Sequence, residues 1–402
     1  MIAGATKSVS EGAPPLLPAL IAMMVLQAMV AMALFAPGIL APKLGLTEAG
    51  VSLFATGCFL VGIISAAFGG PIVGKLGSLG VASACMLAVL ASMAVAALAG
   101  TGLAGLALAG LLLGLAFGPE TPASSALLGR LVPPARRPIV FSIRQTGNQV
   151  GAILASLMLP VLAVADPRLG YAMIARLALL ALFGFLWIRE RYDPITRMPG
   201  QRLSLTASLR LIRENAGIRM LTFASVPLSA MQLTLNAFLV LFLTSALGMS
   251  HVQSGVMLAI AQSGGLIGRL GWGFVAVRAG TTHGLVAILA LAMAAFAILL
   301  AQFTATTPSW LVSAAAFGLG LTASGWNGIF LAEVARQAPE GRLAEATGAV
   351  LTASYLGLVA GPVIVSALAA YSGLGFAFSV LGACCAMAGL LILWDSPARK
   401  RS

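Results

Sequence analysis

Apolar runs of about twenty residues recur along the whole of this 402-residue chain, separated mostly by connections of a few residues. Each run is long enough to cross the ~30 Å hydrocarbon layer of a bilayer as an α-helix. Inside hydrocarbon every backbone polar group must be satisfied internally, which leaves helices or a closed barrel. A barrel would show short alternating segments rather than continuous apolar runs. The chain is therefore predicted to be an all-α integral membrane protein. Only 8% of its residues are charged and 60% are hydrophobic, against about 25% charged in soluble domains.

The runs predict twelve spans, at 16–40, 50–70, 79–99, 102–127, 138–163, 169–189, 217–246, 251–275, 281–303, 309–334, 344–368 and 373–394. One connection stands apart. Residues 190–216 are polar and carry Arg191, Arg197, Arg202, Arg210 and Arg213, with Arg189 just before them. This predicts a six-helix bundle at 1–189, a linker at 190–216 and a second six-helix bundle at 217–402. Lysine and arginine concentrate on cytoplasmic connections. Here the even-numbered connections carry Lys75, Arg130, Arg136, Arg137, the central arginines, Arg278, Arg336 and Arg342, and the tail adds Arg399, Lys400 and Arg401. The odd-numbered connections carry Lys43 and Arg168. Both termini and the linker are expected in the cytoplasm, in a multi-pass protein of the cell (inner) membrane. The net charge of +12 is mostly this asymmetry, so no nucleic-acid partner is expected. The run at 16–40 follows Lys7 without a clear cleavage site and reads as a span rather than a removed signal.

Cys58, Cys85, Cys384 and Cys385 all fall inside apolar runs, as small hydrophobes do. No cysteine or histidine spacing suggests a metal, and His251 and His283 lie near span ends. No cofactor is expected.

The two halves repeat. "GPIVGKLGS" at 70–78 and "GFVAVRAGT" at 273–281 share Gly-x-x-x-x-basic-x-Gly, with Gly70/Gly273, Lys75/Arg278 and Gly77/Gly280 separated by 203 residues. "GRLVP" at 129–133 matches "ARQAP" at 335–339, and Trp187 and Trp394 close spans 6 and 12. A half-length repeat in a twelve-span chain is a transporter architecture whose binding site lies between repeats near mid-membrane. On these residues the whole chain resembles the major facilitator superfamily. Loop 70–78 resembles that superfamily's signature loop, Gly-x-x-x-Asp-basic-x-Gly-basic, and departs from it at Gly74 and Ser78; Val277 replaces the acid in the second copy. Lys75 and Arg278 remain able to bind helix C-terminal carbonyls as gate or loop residues. "GPETPASS" (118–125), "FSIRQTG" (141–147) and "GWNGIFLAEVARQAP" (325–339) resemble a broad group of poorly characterised bacterial members, in which position 144 is Lys or Arg and position 120 is apolar. Glu120 is a departure from that group.

Arg144 lies six residues past Pro138, about 9 Å into span 5. A lone arginine in hydrocarbon is costly, so Arg144 either snorkels to the cytoplasmic interface or faces protein or a cavity. Arg144, Gly147, Asn148 and Gly151 share one helical face, and the glycines permit close helix contact. Glu120 lies ten residues before Arg130, and its depth differs from that of Arg144 by about 6 Å. Pairing would lower the cost of both charges. As the deep carboxylate of the chain, Glu120 is the candidate proton carrier. A purely structural ion pair is the competing reading. Arg176 in span 6 reads as structural or snorkelling.

Other polar groups mark a candidate cavity. Span 7 carries Ser225, Ser229, Gln232 and Asn236 in one stripe; Gln27, Gln262, Trp326, Asn327, Thr352 and Tyr355 add to it from spans 1, 8, 10 and 11. Arg269, two turns nearer the cytoplasm than Gln262, reads as gate or loop support. Glu333 and Glu345 read as salt-bridge partners of Arg336 or Arg342, and the methionines of span 1 as packing.

The expected function is secondary active transport by alternating access, proton-coupled, of a small organic anion or polar metabolite. The expected binding residues are Arg144, Asn148, Gln27, Gln232, Asn236, Gln262, Trp326, Asn327 and Tyr355. The expected partners are the small-molecule substrate, protons and the lipid bilayer, and the expected state is a monomer. The alternative is a multidrug or amphiphile exporter of the same fold. That reading is weakened by the lack of a Gly-Pro motif in span 5, which the superfamily's drug antiporters usually carry. A membrane-embedded enzyme or a sensor is more distant: no Ser/His or Cys/His constellation, metal cluster or Walker loop is present in the sequence, and no output domain.

Overall fold

The computed structural model describes residues 14–46, 48–99, 102–197 and 205–394. Lys7 of the first-span reading, and Arg202, Arg399, Lys400 and Arg401 of the orientation argument, lie outside them. All regular structure among the described residues is helical: α1 (Leu16–Leu44), α2 (Glu48–Ala67), α3 (Gly69–Leu76), α4 (Ser78–Ala99), α5 (Leu103–Phe117), α6 (Glu120–Leu131), α7 (Arg137–Leu162), α8 (Arg168–Thr196), α9 (Leu205–Glu214), α10 (Ala216–Ser245), α11 (His251–Ala279), α12 (His283–Ala301), α13 (Ser309–Ala323), α14 (Asn327–Gln337) and α15 (Leu343–Trp394).

Grouped across their breaks, the described helices fall at the twelve expected spans. Spans 4 and 10 are each broken into two helices, span 2 is followed after Phe68 by the short α3, and α15 carries two spans. Gly118 and Pro119 break span 4 into α5 and α6, because proline lacks the N–H and crowds the preceding turn. Span 10 breaks at residues 324–326, the corresponding place of the other half. Ser372 and Gly373 turn the 52-residue α15 back on itself, so that it supplies spans 11 and 12. By length and hydropathy alone, eight described helices qualify as membrane spans. α7 and α11, which carry Arg144 and Arg269, are not among the eight.

The packing repeats between halves. α1 lies on α7, α2 on α5, and α4 on α8; correspondingly α10 and α12 lie on arms of α15 and α11 on α13. Two buried clusters result, one built mainly from Ala19 to Tyr192 and one from Leu211 to Ile392. Outside them, Phe183, Trp187, Phe223 and Phe274 are exposed, as suits a surface covered by lipid.

The halves meet on the face that carries the α8–α9 connection. There α15 packs on α2, α3 and α6, and α7 packs on α11 and α14. The approach is close enough to need glycine. A Cβ on Gly70 would lie 2.5 Å from the Glu345 Cα, and one on Gly328 would lie 2.5 Å from the Ser142 Cα. Gly77 and Gly280 of the repeated loop both have positive φ, +80° and +67°, which strains other residues. Lys75 and Arg278 are exposed in the last turns of α3 and α11.

The linker begins later than the sequence suggested. α8 continues to Thr196 because its last turns dock on the start of α4. Asp193 Oδ1 accepts from the Leu79 N–H at 2.8 Å and the Gly80 N–H at 3.3 Å, and Thr196 Oγ1 accepts from the Ser78 N–H at 2.9 Å. Arg189 and Arg197 flank the Asp193 carboxylate at 3.3 and 3.7 Å. The acid missing from the loop at Gly74 thus has a counterpart supplied by span 6.

Candidate functional site

The break in span 4 puts a carboxylate deep between the helices. Glu120 is the first residue of α6 and is 5% exposed. Its Oε2 lies 3.6 Å from Arg144 Nη2, and its Oε1 accepts from Thr121 Oγ1 at 3.3 Å. Arg144 is 2% exposed. Its guanidinium donates to Thr121 Oγ1 at 3.1 Å, Gln145 Oε1 at 2.9 Å, Ser124 Oγ at 3.0 Å and the Glu120 carbonyl at 3.4 Å. Snorkelling is thereby excluded: the side chain is enclosed by α6 and by its own helix. Gly147 and Gly151 bring α7 against α1, where a Cβ on Gly147 would lie 2.7 Å from the Met24 carbonyl. That approach puts the Gln27 amide 2.7 Å from both the Gln145 side-chain oxygen and the Arg144 carbonyl.

A cavity of about 130 Å³ lies between the halves beside this pair. Gln27, Glu120, Thr121, Gln145 and Asn148 line it from the first half, and Ser229, Gln232, Arg269, Trp326, Asn327, Ser354 and Tyr355 from the second. Asn327 donates to Gln232 Oε1 at 3.3 Å, Ser229 and Ser354 share a hydrogen bond, and Tyr355 Oη donates to the Phe117 carbonyl at 3.3 Å across the halves.

Several residues sit elsewhere than the sequence suggested. Arg144 lies behind the cavity wall, because its terminal nitrogens are taken by α6 and Gln145. Asn236 and Gln262 are exposed and outside this wall, and they bind each other at 3.0 Å. Arg269 lies in the wall itself rather than among the loops. α11 runs to Ala279 instead of ending near 275, so Arg269 stands about 15 Å from the helix end. It is 4% exposed and donates to the Gln145 carbonyl of the other half at 3.1 Å. Its Nε has no hydrogen-bond partner, and among the described residues no carboxylate pairs with it. The Trp326 indole N–H is buried and likewise unpartnered.

The other expected ion pairs form at the span ends. Glu333 receives Arg336 at 2.6 Å together with Thr282 and His283, and Glu345 receives Arg342 at 2.6 Å. Arg176 is exposed on the outside of the bundle. Ser225 bonds the Thr222 and Val350 carbonyls, so the lower part of the span 7 stripe faces span 11. Thr121, Ser124 and Gln145 were not singled out from sequence. Hydroxyls one and four residues after a buried carboxylate on a helix were the available signal.

The Major Facilitator Superfamily family model matches residues 19–357. No curated protein matches the chain by sequence. Among solved structures, the chain is similar to a single-residue variant of the E. coli fucose:proton symporter FucP, with TM-score 0.75, 16% identity, and coverage of 94% of this chain and 98% of that one. The human organic anion transporter MFSD10 superposes with TM-score 0.75 at 16% identity, over 94% and 100% of the two chains. A bacterial homologue of the iron transporter ferroportin, in an outward-facing state, gives TM-score 0.75 at 16% identity, over 94% and 98%.

Proposed function

The chain belongs to the major facilitator superfamily, and on that premise we propose that it carries a small organic anion across the membrane by alternating access, coupled to protons through Glu120. The observation that carries this reading is the charge count of the cavity. Glu120 in the wall is paired with Arg144 behind it, and Arg269, in the wall itself, has no carboxylate partner among the described residues. An uncompensated cation in a low-dielectric site is costly and is relieved by an anionic ligand, whose carboxylate a guanidinium grips with two parallel donors. The hydrogen-bonding groups around it, Asn148, Gln232, Asn327 and the Trp326 indole, suit the polar remainder of a small solute. A cavity near 130 Å³ is well under the ~300–1,000 Å³ of sites for drug-sized ligands, which favours a small anion over the exporter reading.

Residues 1–189 extended through Thr196 and residues 217–402 act as the two rocking bundles, joined by the remaining linker. The linker face is cytoplasmic by its arginines, so the closed face is the inner one and the site opens outward. Arg269, gripping the Gln145 carbonyl across the halves, belongs to the inner barrier as well as to the site. Glu120, held by Arg144, is the carboxylate in the cavity wall among the described residues, and it is the group available to take up a proton there. Uptake of a panel of carboxylic acids, sugars and cationic drugs into proteoliposomes tests this. Carboxylates driven by an inward proton gradient are the expected substrates; transport confined to cationic or neutral compounds overturns the anion reading.

A further inference from the structure

The lipid-facing side of the second bundle carries a groove that the transport site does not use. It lies between α10 and the two arms of α15 and encloses about 680 Å³. Its rim is made by Phe223, Ile364, Met387 and Leu391, all more than half exposed. Its floor is low because Ala224 and Ala360 stand there. Along span 12 the groove runs from Val380 to Trp394, about 21 Å at the helical rise. That exceeds half of the ~30 Å hydrocarbon layer, so the groove has the length of one acyl chain entering from the interface.

The mouth lies on the linker face and is cationic. Arg219 lines it and donates to the Arg213 carbonyl at 2.9 Å, which sets Arg213 beside the mouth at the α9–α10 corner. Both side chains are exposed, and among the described residues neither pairs with a carboxylate. The nearby acid, Glu214, receives Arg210 at 2.6 Å, and that bond, with Arg342 and Arg213 close by, holds its carboxyl below the usual range, so the corner keeps an excess of positive charge. The level of the mouth is interfacial. Trp394 is 71% exposed at its edge, and α9 is amphipathic, with Leu211 in the core and Leu209 outward.

We propose that this groove binds an anionic phospholipid of the linker-side leaflet, with one acyl chain along α15 and the phosphate on Arg213 and Arg219. The charge at the mouth selects the headgroup, since each basic residue at a membrane surface favours anionic lipid by about fivefold. The apolar length selects a chain over a soluble phosphate.

Purified full-length protein in detergent is titrated with dioleoyl phosphatidylglycerol, dioleoyl phosphatidylcholine and glycerol 3-phosphate, with thermal unfolding and native mass spectrometry as readouts. Phosphatidylglycerol is expected to raise the melting temperature and be retained, phosphatidylcholine to bind at least about tenfold more weakly, and glycerol 3-phosphate to have no effect. Arg219→Ala and Arg213→Ala are each expected to weaken phosphatidylglycerol about fivefold. Ala360→Phe fills the floor and is expected to abolish retention. Because an added ring can also disturb the α10–α15 packing, the unmodified protein is crosslinked with phosphatidylglycerol bearing a photoreactive acyl chain. Labels at Ile364, Cys384 or Met387 are expected. Equal retention of the two lipids, stabilisation by glycerol 3-phosphate alone, or labels confined to other helices overturns the proposal.

Discussion

Arg144 and Arg269 are both buried guanidiniums, and their surroundings separate their roles. Arg144 donates from both terminal nitrogens to Thr121, Ser124, Gln145 and the Glu120 carbonyl and pairs with the Glu120 carboxylate, whereas Arg269 makes one hydrogen bond, to a backbone carbonyl, and pairs with no carboxylate among the described residues; the Nε of each is unpartnered. Arg269→Ala is expected to lower carboxylate uptake by at least about thirtyfold, as truncating one partner of a buried charge pair does. Arg269→Lys is expected to recover little, because an ammonium cannot present two parallel donors. Near-normal uptake by the lysine variant would remove the two-pronged grip. Arg144 answers to a different test. Glu120→Ala leaves it unpaired, at a cost of about 3–5 kcal/mol. Glu120→Ala combined with Arg144→Ala is expected to restore much of the thermal stability that either loses alone. Additive losses in unfolding measurements would sink the pairing. Glu120→Gln is expected to keep substrate exchange while losing uptake driven by a pH gradient; unchanged gradient-driven uptake would rule out Glu120 as the proton carrier. The sequence made Glu120 and Arg144 legible as a pair because their depths match. It hid the difference between the arginines, because a helix that runs about four residues longer moves Arg269 from the loops to the cavity wall.

At the scale of elements, the apolar runs made the rods readable and the breaks within them less so. Gly118-Pro119 announces its kink through the proline. The break at 324–326 has no proline, and Gly325 there lets α11 approach, a Cβ on it being 2.9 Å from the Gly268 Cα. Tertiary contact of that kind leaves no local signal. The tail of α8 is the same case. Residues 190–196 look like a polar linker in sequence, yet Tyr192 and Asp193 are each 1% exposed, because Tyr192 donates to the Pro15 carbonyl at the start of α1 and Asp193 caps the start of α4. Asp193→Ala removes the acceptor for two helix-start N–H groups and is expected to destabilise the first bundle by about 1–3 kcal/mol. Asp193→Asn keeps the acceptor and is expected to lose less. Thermal unfolding of the two variants in detergent checks the order. Equal losses would mean that the ion pairs with Arg189 and Arg197, rather than the cap, hold the corner.

At the scale of the molecule, the proposed closure at one face and access at the other rest on where the halves touch. Their tight contacts, Gly70 on Glu345 and Gly328 on Ser142, lie on the linker side, while Asn236 and Gln262 are exposed beyond the cavity. In the proposed orientation, lysine and arginine placement puts the linker side in the cytoplasm. In a chain whose four native cysteines are replaced by serine or alanine, Asn236→Cys and Gln262→Cys are therefore expected to react with a membrane-impermeant thiol reagent added outside intact cells. A valine at position 328 cannot fit against the Ser142 backbone, and packed interfaces switch rather than deform. Gly328→Val added to either cysteine variant is accordingly expected to open the inner face and to slow outside labelling at 236 and 262. Ala126→Cys, buried in the wall of the linker-side cleft, is expected to label faster from inside-out vesicles in the same background. Labelling of 236 and 262 from the cytoplasmic side in the unmodified background would invert the orientation. Unchanged labelling with Gly328→Val would mean that this contact does not hold the inner face shut.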